Sequence, residues 1–578
     1  MPAHSHTNAQ PYQRTEEDLV PEEERTAAET AGDSAATRDD RGAPGAAAPA
    51  SPDGSVAGSP GTEAQAAGAP GRSRPWRLTG VVGLWLSIFA GSMGLFTVRF
   101  LVPVPVGTAN NGDGARLMCA FGVAPVTGGH LSEFKYAYFQ FDRAPRACAH
   151  AHLYPSSQHL LLVVAQWLTP VLGLPGRINL IALGLLTCAI ASFAIASLAT
   201  GLRVNIWARL AVAAGIWLVM ADGAFFELFA SPLSEGSTLV GLLLVAAGVV
   251  YLGRSWPATV FGLLLAGTGS YLVLLSKEQY LLLAVPIFLT LVLASTVRGS
   301  GRRLRRLLTQ RTAAAVAVIA VLAVLGGIYV LWDHGSTYAA ALHHEQAVDM
   351  TFAGIVTGHD NVYADLRALG LPASWAKYAG TDYWSPVTVR HDPLYPRYAA
   401  KLSDHNIAHF LLTHPSRIIG IGQLEAKYAL HVRVGYLGTY APSAGHPPGA
   451  VETRVDVVSW LIRAIGPRLG LLFLVPLWAV MAAVAIVSLR RRYSGSWRRD
   501  GAVLVLCMTG CAIAAFIPPG YFEGTAVPRH MLGMNLATAL AVPVSVALAI
   551  AMIGDGVARL RRHPGPSAPA EAKAPVAA

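Results

Sequence analysis

Apolar runs of about twenty residues, separated by short polar loops, recur along this 578-residue chain. That alternation constrains its fold more than any other feature. In hydrocarbon every backbone N–H and C=O must be satisfied within the segment, so runs of this length are helices and a series of them is a bundle. Composition agrees: 53% of residues are hydrophobic and 13% charged, against roughly 25% charged in soluble domains. The expected fold is an all-α polytopic membrane protein of about ten transmembrane helices.

The formal net charge of +10 sits mostly in arginines beside apolar runs, where it reports orientation rather than nucleic-acid binding. Six arginines lie in RGSGRRLRRLLTQR (298–311) and five in RRRYSGSWRRD (490–500). Arg559, Arg561 and Arg562 follow the last apolar run, and Arg72, Arg74 and Arg77 precede the first. The positive-inside rule puts all four groups, and both termini, in the cytoplasm of a cell membrane. The expected spans are 79–101, 178–200, 205–222, 236–252, 257–275, 280–297, 313–332, 467–489, 502–519 and 532–553. An eleventh apolar run, 159–174, is short and interrupted by Pro170. Counting it as a span would reverse part of the arginine pattern, so it reads as a helix on the outer surface.

The resulting domain plan has a disordered cytoplasmic tail (1–75), a transmembrane module (76–332) whose first outer loop is 102–177, and an outer, mostly helical domain (333–466). C-terminal transmembrane helices (467–555) and a second disordered tail (556–578) follow. The tails are rich in Ala, Pro and Gly and poor in anything that could form a core. Two helices are expected in the outer domain, near 398–412 and 415–433. Of the five cysteines, Cys188, Cys507 and Cys511 fall inside apolar runs and read as packing residues. Cys119 and Cys148 share the first outer loop, where a disulfide and two free thiols are both compatible with the sequence.

Ionisable residues recur at the outer ends of spans: Asp222, Glu227 and Glu235, then Lys277 and Glu278, then Glu523, Arg529 and His530. Such groups are expensive at membrane depth, so they line a cavity or pair with one another. The bland reading has Lys277 paired with a nearby carboxylate and Glu227 facing water. Glu235 also suits a helix N-terminus, where a carboxylate meets the positive end of the dipole. Asn110-Asn111-Gly112-Asp113-Gly114 is a turn signal, and a tight turn can also fix a carboxylate. His343 and His344 are adjacent rather than spaced four apart, a poor pattern for a metal.

The order of these parts resembles the GT-C superfamily of polyprenyl-phosphate-sugar-dependent glycosyltransferases, closest to the protein O-mannosyltransferase-like family 39 branch. In that branch a catalytic aspartate follows the first span, and here Asp113 in GDGAR holds that place. A Tyr/His-Pro-Pro-like motif matches Tyr154-Pro155. An amphipathic helix ending in Leu-Gly matches the run to Leu174, and an Arg-Leu-Pro-like motif matches Gly176-Arg177-Ile178-Asn179. Asp113-Gly114 replaces the usual acidic pair, and Pro-Ser-Ser replaces Pro-Pro.

The resemblance implies an inverting membrane glycosyltransferase acting on the extracytoplasmic face. Its donor would be a polyprenyl-phosphate sugar and its acceptor a cell-envelope glycan, lipid or protein. Asp113 would be the base, and Arg116, Lys277, Arg529 and His530 the groups that hold the donor phosphate. Glu235, Tyr154 and His159 would line the acceptor side of the cavity. No metal ligand set is assigned, although a divalent cation is an alternative means of neutralising the phosphate. A lipid-linked-sugar transporter or flippase, which would carry polar residues at the midplane and paired repeats, and a non-catalytic envelope scaffold are the competing classes.

Overall fold

The computed structural model describes residues 76–126, 134–149, 155–296, 337–357, 361–490, 497–524 and 527–562. The expected span 313–332, the expected disordered tail 1–75, the second expected tail beyond residue 562 and Tyr154 lie outside them.

The described chain is predominantly helical. Its elements are α1 (Trp76–Leu101), α2 (Asp113–Cys119), α3 (Gln158–Val171), α4 (Leu180–Gly201), α5 (Ile206–Ala221), α6 (Glu235–Val249), α7 (Trp256–Leu274) and α8 (Ala284–Thr296). Then follow α9 (Thr337–Asp349), α10 (Val362–Ala368), α11 (Asp404–Thr413), α12 (Pro415–Ala429), α13 (Val457–Leu469), α14 (Leu471–Ser488), α15 (Trp497–Pro518), α16 (Val527–His530) and α17 (Leu532–Arg562).

Among the described residues six helices are long and apolar enough to cross a bilayer, lying in α1, α4, α7, α14, α15 with its continuation to Glu523, and α17. Taken as one span, α5 and Gly223–Ala230, a pair bent by 65°, would be a seventh. Two shorter apolar helical stretches, Glu235–Val249 and Glu278–Leu291, fall where two further spans are expected. The exposed side chains of α1 are the ones lipid would cover: Val81, Val82, Leu86, Leu95 and Val98.

The bundle core holds α6, buried along its whole length. It meets α7 through glycines rather than large side chains. A Cβ on Gly248 would stand 2.5 Å from the Ala266 amide nitrogen, and one on Gly241 2.8 Å from the Gly269 carbonyl oxygen. Two helices that cannot gain from expelling water in lipid gain instead from close backbone approach.

The two ends of the bundle differ in chemistry. Arg254 Nη2 bonds Asp500 Oδ2 at 2.8 Å, with Arg203 Nε 3.8 Å from the same oxygen, and Arg498 holds Asp555. The loops after α4, α6 and α14 therefore share one end, the arginine-rich one. Asp113, Glu235, Lys277 and Arg529 gather elsewhere, in the loops that leave the other ends of these helices.

The first long loop contains α2, α3 and a small sheet that the residue pattern does not announce. Strand β1 (Val123–Pro125) pairs antiparallel with β2 (Gln140–Arg143), and β2 pairs with β3 (Ile178–Asn179). Strands of two to four residues are too short to show alternation. Asn179 closes the sheet and then caps α4, its side chain accepting from the Ile181 amide at 2.9 Å. Cys119, the last residue of α2, is joined to Cys148 by a disulfide. Helix α3 has 14 residues, about 21 Å at 1.5 Å per residue, too short to span. It buries Leu161, Leu162 and Ala165 and exposes Leu160, Val163, Val164, Trp167 and Val171.

Residues 347–421 build a core of their own around Phe352, Trp375, Phe410 and Ile421. Helices α11 and α12 correspond to the two expected there. This part of the chain meets the bundle at Gly524, where a Cβ would stand 2.7 Å from the Asp349 backbone. His343 also bridges Asp404 Oδ2 at 3.1 Å and Glu278 Oε1 at 3.9 Å.

Candidate functional site

The site is built from the turn that precedes α2. Asn110 Oδ1 accepts from the Gly112 amide at 3.0 Å, and Asn111 Oδ1 accepts from the Asp113 amide at 3.3 Å. Gly112 has φ = 101°, the left-handed region that favours glycine. The turn reading of this motif and the presentation of Asp113 are thus one device. At Gly114 a Cβ would lie 2.7 Å from Pro232 Cγ, so α2 rests directly on the Ser231–Ser234 loop that leads into α6. That contact brings Asp113 close to Glu235.

Arg529 joins the two carboxylates. Its Nη1 donates to Asp113 Oδ2 at 2.7 Å, and its Nε lies 3.7 Å from Glu235 Oε1. Lys277 Nζ stands 3.6 Å from the same Glu235 oxygen. Arg116, one helical turn along α2, lies 3.6 Å from Asp113 Oδ1 at the more open edge. Glu235 Oε1 and Arg529 Nε are buried and take part in no hydrogen bond among the described residues. A polar centre with unused hydrogen-bonding capacity therefore sits between α2, α6 and α16.

Burial alone would raise the Asp113 carboxyl. Arg529, Lys277 and Arg116 outweigh it and hold the group well below the usual carboxylate range. Arg529 moves oppositely: burial would lower it, but Asp113, Tyr436 and Glu235 drive it up, so it stays a cation. His530 Nε2 accepts from Arg529 Nη2 at 2.7 Å, which places any single ring proton on Nδ1, against Glu523. Burial first, then Lys277 and Arg529, lower the pKa of His530 against the pull of Glu523. Gln279 Nε2 fixes the His530 carbonyl at 2.9 Å.

Asp113, Arg116, Lys277, Glu235, Arg529 and His530 thus converge. Lys277 pairs with a carboxylate as the bland reading has it, and that carboxylate is Glu235 of the same cluster. Glu235 is also the first residue of α6, so its dipole role and its place in the site coexist. Glu227 does not face water. It is buried against Arg433, which bonds it through Nε at 3.1 Å and Nη2 at 3.0 Å. Asp222 is consumed in capping α13, accepting from the Val458 and Ser459 amides at 2.8 and 3.0 Å.

His159 stands apart. Its ring packs 5.8 Å from that of Phe121 and burial lowers its pKa. Among the described residues no hydrogen bond or ion pair links it to the cluster. Tyr154 lies outside the described residues. No three His, Cys, Asp or Glu side chains are grouped to hold a metal among the described residues.

Two members have no individual role in the sequence reading. Glu523 is seen there only as a rim carboxylate; its pairing with His530 depends on a backbone turn after α15. Tyr436 sits in the middle of a polar segment with no motif. The strand-like run 106–109 brings it in, because Gly107 and Ala109 donate to the Thr439 and Gly438 carbonyls at 3.1 and 2.9 Å. Burial first, then Asp113 and Glu235, keep the Tyr436 hydroxyl protonated, and Asn111 is its hydrogen-bond partner.

The family model for the YfdI N-terminal transmembrane domain matches residues 80–564 of this chain. No curated protein matches it.

Proposed function

Starting from a chain that belongs to the YfdI N-terminal transmembrane domain family, we propose that it is an inverting membrane glycosyltransferase of GT-C type. Its donor is a polyprenyl-phosphate sugar, and its acceptor is a glycan, lipid or protein of the cell envelope. The observation that carries the reading is the cluster itself: two carboxylates, Asp113 and Glu235, bridged by Arg529 and faced by Lys277, where a bundle opens into polar loops.

Transfer from a lipid phosphate needs a base at the acceptor hydroxyl and cations at the departing phosphate. Asp113 is the base. It takes the hydroxyl proton as the acceptor oxygen attacks the anomeric carbon and the bond to the phosphate oxygen breaks. Its strongly held negative charge means it is always ionised when substrate arrives, at the cost of low intrinsic basicity. Arg529, Lys277 and Arg116 stabilise the charge that grows on the phosphate, arginine by paired N–H donors and lysine as a point charge. Glu235 keeps Lys277 and Arg529 in place before the donor binds. The exposed flanks of the helices let a polyprenyl tail stay in the bilayer while its phosphate reaches the cluster.

The test is transfer of radiolabelled sugar from polyprenyl-phosphate donors in membranes holding the full chain. Asp113→Asn should reduce transfer by about 10²-fold or more, the usual range for losing a general base. Undiminished transfer by this variant, at equal protein level, would remove Asp113 as the base. Absence of transfer by the unaltered chain over a broad donor and acceptor set would favour transport or scaffolding.

A further inference from the structure

An open groove of about 650 Å³ lies away from the charged cluster, lined by Asp142, Arg143, Gln166, Gly176 and Arg177. Among the described residues no hydrogen bond or ion pair links these side chains to Asp113, Glu235, Lys277 or Arg529. The floor is the β2–β3 edge, where the Asp142 carboxylate is already committed: Oδ1 accepts from the Arg177 amide at 3.1 Å and Oδ2 from Gln140 Nε2 at 3.0 Å. The guanidinium groups of Arg143 and Arg177 take part in no hydrogen bond or ion pair among the described residues. Arg433, Arg454 and Arg529, by contrast, are engaged by carboxylates.

The wall of the groove is α3. At 100° per residue its exposed Val163, Val164, Trp167 and Val171 share one stripe, and Gln166 stands at the margin of that stripe. Trp167 is 75% exposed and Val171 78%. A helix too short to span, with tryptophan on its bare apolar face, lies in the interfacial layer of a bilayer. Phosphate groups of the lipids occupy that same layer. Two guanidinium groups with no carboxylate partner among the described residues therefore meet the headgroup zone beside a surface suited to acyl chains.

We propose that this groove binds the headgroup of an anionic phospholipid, with its phosphate between Arg143 and Arg177 and an acyl chain along the Val163–Trp167 stripe. The lipid is a bound companion of the fold, neither donor nor acceptor, so the proposal does not depend on glycosyl transfer. It would seat α3 and, through β3, the start of α4.

The probe is short-chain phosphatidylglycerol titrated into the purified full chain in uncharged detergent, with bound lipid counted by native mass spectrometry. One tightly retained phosphatidylglycerol is expected, with short-chain phosphatidylcholine retained at least 10-fold less. Arg143→Ala with Arg177→Ala should weaken phosphatidylglycerol at least 10-fold, while Arg143→Lys with Arg177→Lys keeps part of the binding. Trp167→Ser should weaken it less than the arginine pair. Unchanged elution volume and an intact Cys119–Cys148 bridge confirm that the variants fold. Equal retention by the alanine pair overturns the proposal. Two other results also overturn it: inorganic phosphate competing as well as the lipid, which marks a free-anion site, and one-for-one displacement by a polyprenyl phosphate, which marks a donor site. Asp113→Asn should bind phosphatidylglycerol normally, so failure here is distinct from failure of the transferase reading.

Discussion

Asp113 is held by Arg529 at 2.7 Å and by Arg116 at 3.6 Å, and its charge state is set by these cations against the opposing pull of burial. Replacing Arg529 with Gln should let burial prevail, so the carboxyl titrates higher. In the intact chain, activity should not fall on the acid side at the ordinary aspartate value of about 3.9. In Arg529→Gln the acid limb of kcat/KM should move to higher pH, alongside a lower plateau. An acid limb that stays in place would show that a different group controls it. At this scale much of the site is legible in the sequence. Glu235, Lys277, Arg529 and His530 stand out because ionisable residues at the ends of apolar runs need a reason to be there. Their pairings are not legible: Asp113 and Arg529 are 416 positions apart, and no local pattern encodes that distance. Arg99–Glu452 and Arg433–Glu227 are equally remote. They show that the same signal marks structural clamps as well as site residues.

Among the elements, α2 carries the site and its last residue is pinned by the Cys119–Cys148 bridge. The bridge closes a 29-residue separation, and cross-links of this kind stabilise by about 2–4 kcal/mol. Cys119→Ala should lower thermal stability in detergent by an amount in that range and reduce transfer with it, because α2 positions Asp113. Helix α12 supplies a pH test. Burial, then the nearby Glu523, push the Glu425 carboxyl up to about 8. The folded chain therefore keeps a proton that the unfolded chain releases near 4.3. Stability should fall as pH rises from about 4.5 to about 8 and level off above that. Glu425→Gln should flatten this slope, and a slope unchanged in the variant would assign it to other groups. The elements themselves were readable where apolar runs are long. Helix α3 was readable as a surface helix because Pro170 and its length argue against crossing. The three short strands were not, since pairs such as Phe141 with Ile178 are fixed by the loop's closure onto α4 rather than by side-chain alternation.

For the whole molecule, the arginines predict sidedness. The gathering of Arg203, Arg254 and Asp500 at one end agrees with loops that share a compartment. A cysteine placed at Gln166 should react with a membrane-impermeant maleimide added to intact cells, and one placed at Ser494 should react only after the membrane is opened. The reverse pattern would invert the whole arrangement. The expected plan of ten crossings rests on charge bookkeeping that the length of individual helices does not reproduce: α6 has 15 residues and is wholly buried, so it reads as core as readily as span.

The bond between Asp113 and Arg529 also carries a consequence for how the protein is made. The aspartate leaves the ribosome early and its partner only near the end of synthesis, after α15 has been released into the membrane. Until then Asp113 lacks its strongest counter-charge, and α2 has nothing to close against on that side. The charged cluster is therefore completed last, whatever the order in which the helices insert. A chain interrupted between the end of α15 and residue 527 would contain most of the bundle without the finished centre.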